Sequence, residues 1–388
     1  MTTEVTSVGN YSLTSALQYR EDGDLVVGEI VAVASPIIIF VGLTGNAVGA
    51  ASLLRVAGLR QRGIGHLLVA ICVTDAIFLV SLLPTWLSSR YGADYDPYNS
   101  NGWCQLLSLT TMSSNFLSTW FTVALGVERY VAVRLSRRHA AAVDGREGSE
   151  RRPASTSCGP TRTRVAIIGL TVLAVVVFVN MVVSIGAEKD INDGVVRCKP
   201  LPGAVDAMRS LVNVDLVVNV VSPILIVVGL YVAIAVRLTD WRCRRHRAIS
   251  RLVLRRPTGD DGRAVSSTEV RLTRTAFLLS AVVVLLSTPS HTVRAAHFVA
   301  VVFQLSVPPR IASYAVRQVS LELFHASFAV PFFVVVLSHS RIRRSIVLSV
   351  KLAIESTLKR WYCGSRRTSS PNAERQLEST VVTSETNR

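Results

Sequence analysis

Seven apolar runs, each about twenty residues or longer, divide this chain, at approximately 29–54, 64–87, 104–133, 165–186, 210–237, 272–303 and 316–337. About twenty residues of helix cross the roughly 30 Å of a bilayer's hydrocarbon. In hydrocarbon the backbone must satisfy its own hydrogen bonds, so such runs fold as helices. A soluble helix of this length keeps a polar face, and these runs mostly lack one. Composition agrees: 49% of the 388 residues are hydrophobic, 18% are charged and the mean hydropathy is +0.40, against about 25% charged in soluble domains. The sequence predicts an all-α membrane protein. Its parts are an extracellular N-terminal segment 1–28, a seven-transmembrane helix bundle 29–337, an amphipathic membrane-surface helix 338–362 and a disordered cytoplasmic tail 363–388. Residues 1–28 carry Glu4, Glu21, Asp22 and Asp24 and lack the basic-then-apolar order of a signal peptide.

Orientation follows from the cations. With the N-terminus outside, the segments 55–63, 134–164, 237–274 and 338–388 face the cytoplasm and hold 32 of the 42 Lys and Arg. Cytoplasmic loops are enriched in these residues, so the net charge of +16 needs no nucleic acid to explain it. The sequon Asn10-Tyr11-Ser12 then lies outside, where Asn10 can be glycosylated. Of six cysteines only Cys104 and Cys198 fall on the oxidising side, and they are expected to form a disulfide. Cys72 is expected to pack inertly within the second run. Cys363 follows Lys359-Arg360-Trp361-Tyr362, a setting for palmitoylation beside which a free surface thiol stays open.

Polar groups inside a bilayer are expensive and point to function. Asn46 lies in the first run and Asp75 in the second, while Glu128-Arg129-Tyr130 closes the third. Pro223 and Tyr231 mark the fifth, and Pro289 interrupts the sixth. Prolines in spans free a backbone carbonyl and permit a kink.

This ordered pattern resembles the rhodopsin-like (class A) G-protein-coupled receptors over roughly residues 29–360. Asn46 and Asp75 match the family's polar residues of the first two helices. Cys104 and Arg129 keep the family's spacing of 25 residues, and Pro223, Tyr231 and Pro289 match the prolines and tyrosine of helices five and six. The stretch from Ser118 to Val133, with Thr288-Pro289-Ser290-His291 and Phe328-Ala329-Val330-Pro331-Phe332-Phe333, looks nearest to invertebrate FMRFamide-type neuropeptide receptors. The resemblance implies a plasma-membrane receptor, with no enzymatic activity and no cofactor or metal, that answers an extracellular ligand through heterotrimeric G proteins. Arrestin and a receptor kinase would act on its Ser- and Thr-rich tail. It further implies a switch built on Glu128, Arg129, Tyr130, Tyr231 and Pro289 and a polar core of Asn46, Asp75 and Ser118; Glu269 stays open between a second partner for Arg129 and a solvated side chain.

Departures are equally plain. Ser287 stands where the family's sixth helix carries a tryptophan, and no tryptophan lies between Val165 and Gly186. Pro331, Phe332 and Val335 occupy the Asn-Pro-x-x-Tyr positions, and Ser327 and Pro331 replace the asparagines of a sodium site. A constitutively active or decoy receptor therefore stays open, as does a membrane transporter, although no internal repeat is visible.

Ligand chemistry narrows by exclusion. None of the four lysines lies within a run, and His325 holds the retinal-lysine position. Thr111 stands where amine receptors carry an aspartate. The outer half offers Thr111, Asn115, Asp215, Asn219, His291, Arg294 and Glu322, a mixture of both charge signs that suits a peptide, beside which a charged lipid or small acid held through Arg294 and Arg317 stays open. Asp215 and Glu322 need partners at that depth. Either Arg294 or Arg317 neutralises one of them, or a cationic ligand group does so on binding.

Overall fold

The computed structural model describes residues 6–55, 63–91, 100–143, 160–189, 196–204, 210, 214–252, 267–303, 305, 313–338, and Arg343, Arg344, Val347, Lys351 and Glu355. Eight long or medium helices run through them. They are α1 (Thr6–Arg55), α2 (Gly63–Tyr91), α3 (Asn101–Val143), α4 (Pro160–Ser184), α5 (Ser222–Leu252), α6 (Ser267–Val302), α7 (Tyr314–Ser327) and α8 (Val330–Ser338). A two-stranded antiparallel hairpin, β1 (Ile185–Lys189) and β2 (Val196–Pro200), follows α4.

Five stretches are long and apolar enough to cross a membrane: Leu25–Arg55, Gly63–Ser88, Thr161–Ser184, Val214–Arg237 and Leu272–Ala300. A sixth is the pair Tyr314–Ser327 and Val330–Val336, if that pair, bent by 45°, is one span. The sequence leads one to expect seven. The difference lies in α3, which at 43 residues is long enough to cross. Its middle carries Thr110, Thr111, Ser113, Ser114, Asn115, Ser118, Thr119 and Thr122, and it falls below the same measure of apolarity among the described residues. These are the features of a multi-pass membrane protein. Only 11% of the apolar window in α1 and 12% of that in α4 is buried, so both helices turn most of their Val, Ile and Leu outward. Water would strongly disfavour such a surface, and lipid accepts it.

Two further boundaries differ from the sequence expectation. Helix α1 begins at Thr6, well before the apolar run. The fourth run was expected to reach Gly186, but Ile185 and Gly186 already belong to β1, because the chain turns there to pair with β2.

The helices close into a ring in which α3 touches α2, α4, α5 and α6, and α7 and α8 return to α1. Small residues set the closest approach. A Cβ on Gly42 would lie 2.8 Å from the Cβ and 3.1 Å from the Cα of Ala329, and one on Gly45 would meet the Phe332 ring at 2.9 Å. Without side chains there, α1 lies directly on the bent pair α7 and α8.

Prolines leave carbonyls that the fold answers in two different ways. Pro36 has no N–H for the carbonyl of Ala32, and the Trp86 indole of α2 donates to it instead at 3.0 Å. Pro223 likewise cannot bond to the carbonyl of Asn219. The helix widens there into a π turn over Val217–Val221, with the Ser222 N–H reaching Val217. Residues up to His339 form one compact unit and those from Ser340 a second. In the second unit, Arg343, Arg344, Val347, Lys351 and Glu355 are helical and exposed. The rest of the expected amphipathic helix, the tail and Cys363 lie outside the described residues.

Candidate functional site

At one end of the bundle a covalent tie joins Cys104, at the start of α3, to Cys198 in β2. The two Cα atoms are 5.7 Å apart, a separation that a disulfide spans. The hairpin places Ala187 opposite Cys198. Asn101 Oδ1 accepts from the Ala187 N–H at 2.7 Å, and Gln105 Nε2 donates to the Ile185 carbonyl at 3.2 Å. The hairpin is thus fastened to α3 by polar contacts on both sides of the sulfur bridge. No pattern in the sequence announces Asn101 or Gln105, because their partners are backbone groups of a strand pair that itself lacks clean alternation. Asn10 lies in the helical backbone of α1, and its side chain is outside the described residues.

Inward of that tie, a cavity of about 50 Å³ opens between α3, the π turn and α5, α6 and α7. Asn115, Ser118, Asn219, Ser287, His291 and Ser327 supply its polar wall, with Phe324 and Phe328 on the apolar side. Asn219 Oδ1 and His291 Nδ1 are buried and lack hydrogen-bond partners among the described residues. One helical turn from each of these, Asp215 and Arg294 meet. Arg294 Nη2 donates to Asp215 Oδ2 at 3.2 Å, and Asn219 Nδ2 donates to Asp215 Oδ1. Of the two ways of neutralising Asp215, the structure contains the internal one.

The remaining expected ligand residues stand apart. Thr111 donates to the Leu107 carbonyl and shares a 2.9 Å hydrogen bond with Ser81 of α2, away from the cavity. Glu322 faces α1, where Ser35 Oγ donates to its Oε1 at 2.8 Å. His325 Nδ1 lies 3.5 Å from that same oxygen, and Glu322 Oε2 is buried without a partner among the described residues. Arg317 is exposed. Sequence spacing could not separate these groups, since which helix each one faces depends on the rotation of its own helix.

Beneath the cavity lies the polar core. Asp75 is fully buried and accepts a 2.5 Å hydrogen bond from Ser118 Oγ. Asn46 Nδ2 donates to the Phe328 carbonyl at 2.8 Å, at the break between α7 and α8. Asp75 Oδ2 and Asn46 Oδ1 have no partner among the described residues. The helix is therefore interrupted between α7 and α8 where an asparagine of α1 takes up the loosened backbone.

At the far end of α3 the fully buried Arg129 meets Glu128. Its Nε donates to Glu128 Oε2 at 2.9 Å, and its Nη2 bonds the same oxygen. Arg237 lies over the Tyr130 ring at 4.9 Å, a cation–π geometry. Tyr231 shares a 3.0 Å hydrogen bond with Ser280 of α6 and stacks edge-on against Phe277. It also packs with Val123, Val227 and Ile234. This gathers Glu128, Arg129, Tyr130 and Tyr231 where α3, α5 and α6 meet, on the side of the cavity away from the disulfide. Pro289 is elsewhere, mid-way along α6. Ser280 is the member that the sequence did not single out. The side chain of Glu269 lies outside the described residues. No metal-binding cluster of His, Cys, Asp and Glu occurs among the described residues. No protein-family model matches the chain, and no curated protein does.

Proposed function

We propose that the chain is a seven-crossing plasma-membrane receptor, N-terminus outside, that carries the signal of an extracellular ligand, a peptide, to heterotrimeric G proteins. The observation that carries this is the buried Glu128–Arg129 pair at the end of α3 opposite the disulfide. A charge taken out of the aqueous phase is tolerable only while paired. A guanidinium kept dry in this way holds a charge-assisted contact that outward movement of α6 would release toward a cytoplasmic partner. Arg237 on Tyr130 holds α5 against α3, and Ser280 on Tyr231 holds α6 against α5, in the closed arrangement. Along α3 the ligand end and the coupling end are about 37 Å apart, from Cys104 to Arg129 at the usual rise.

A receptor that signals without ligand is the second form of this proposal, and Ser287 favours it. A serine beside the cavity supplies none of the bulk with which an aromatic side chain would resist rotation of α6. The test is Arg129→Ala in cells expressing the chain, with second-messenger output measured against surface level. Coupling, whether basal or ligand-driven, should fall to background at unchanged surface expression. Full output from a well-expressed Arg129→Ala chain would remove the mechanism.

A further inference from the structure

The start of α4 takes no part in the coupling switch or the ligand end. Residues 165–184 contain no Asp, Glu, Lys or Arg and measure about 30 Å as helix, the thickness of the hydrocarbon. Arg164, the residue before them, therefore stands at headgroup depth, at the end of α4 away from the disulfide-tied hairpin. Steps of four residues carry its helix face on to Ile168, Val172 and Val176, all exposed. Beside them a Cβ on Gly169 would meet nothing within 4 Å, which leaves the wall recessed there. Helix α2 repeats the pattern: His66, Val73, Ile77 and Val80 recur at helical spacing, and the last three are exposed. The two faces meet at their foot, where Arg164 Nε and Nη2 lie 3.4 and 3.3 Å from His66 Nε2. A guanidinium only donates, so two of its N–H groups compete for one ring nitrogen, and both contacts are long. Among the described residues neither Arg164 nor the exposed Arg162 has a carboxylate partner. An open apolar wall thus ends, at headgroup depth, on cations without a counter-ion.

We infer that α2 and α4 hold one anionic phospholipid, its phosphate on Arg164 and His66 and one acyl chain along Ile168, Val172 and Val176. Phosphate takes paired N–H bonds from a planar guanidinium. It also accepts from His66 Nε2 once the ring carries its proton on that nitrogen. Both donors that now crowd one another are then answered by one anion. Arg162 lies on a different face of α4 and adds a field that disfavours the choline of a neutral lipid. In the topology proposed above this end of α4 meets the cytoplasmic leaflet, which holds the anionic lipids, and basic pockets between helices on that side suit their headgroups.

The test uses the purified full chain in phosphatidylcholine nanodiscs doped with dioleoyl phosphatidic acid, whose head is a bare phosphate. Native mass spectrometry counts the lipids that each chain retains. Phosphatidic acid should be held at least about tenfold more tightly than phosphatidylcholine, the gain expected of a charge-assisted hydrogen bond. Arg164→Gln should abolish that preference and His66→Leu should reduce it. Arg164→Lys keeps the charge, loses the paired donors and should retain only part of it. Arg274→Gln removes an exposed cation of α6 and should change nothing, which separates a built site from attraction to the surface as a whole. Equal retention of the two lipids overturns the inference. So does a preference that survives Arg164→Gln, is unchanged in His66→Leu, or falls as far in Arg274→Gln. Inorganic phosphate has no chain to lay on the α4 wall and should not displace the lipid; displacement would assign the site to soluble phosphate and also overturn it. The site needs a bilayer and no G protein, so its failure would leave the receptor proposal untouched, and loss of that proposal would leave lipid retention standing.

Discussion

A single residue decides the outcome in several places here, and the disulfide is the simplest. Cys104→Ser and Cys198→Ser each remove the same bond. Surface expression, measured by flow cytometry, should fall equally in both and no further in the double variant. Unequal single variants would mean that one thiol has a separate task. Gly42 is the packing counterpart. Gly42→Leu forces atoms into Ala329 and should destabilise the chain by about 1–3 kcal/mol, as overpacking does, whereas Gly169→Leu, with nothing within 4 Å of its Cβ, should leave the unfolding midpoint unchanged. At this scale the sequence was informative where burial itself was the signal. Asp75, Asn46 and Arg129 stand out because hydrocarbon makes an unpaired polar group expensive, and all three are buried. It was silent on partners. Nothing in the spacing of Thr111 reveals Ser81, and nothing near Tyr231 reveals Ser280, since both contacts cross between helices.

Between helices, the Tyr231–Ser280 bond is a polar link from α5 to α6, and these two helices touch little among the described residues. Tyr231→Phe and Ser280→Ala each delete it while sparing the Phe277 contact. Basal G-protein activation should rise by a similar factor in both, and the double variant should match the singles, because a hydrogen bond is lost only once. A rise confined to one variant would assign the effect to that side chain alone. Most of the expected spans were legible from apolarity and length, which are properties of a helix taken by itself: five stretches meet both, and a sixth does if the bent pair is one span. Three element-scale features were not. The extension of α1 back to Thr6 runs through polar sequence. The hairpin depends on a pairing partner and on Asn101. The break after Ser327 depends on Asn46 reaching the Phe328 carbonyl, although Pro331 marks its neighbourhood.

For the whole molecule the number of crossings turns on α3, whose serines, threonines and Asn115 make it the least apolar of the long helices proposed to span. Its position answers part of the question. It packs on α2, α4, α5 and α6, so Asn115, Ser118 and Thr122 are buried against protein, where a polar face is sheltered from lipid. An odd number of crossings would also put the two chain ends on opposite sides, the arrangement that the concentration of Lys and Arg in 55–63, 134–164, 237–274 and 338–388 favours. Epitope tags placed before Thr6, within 92–99, within 145–158 and after Arg388 test this directly through antibody access to intact and permeabilised cells. The seven-crossing receptor predicts labelling of the first two in intact cells and of the last two only after permeabilisation. Labelling of the 145–158 tag on intact cells, or of both chain ends from the same side, would contradict it.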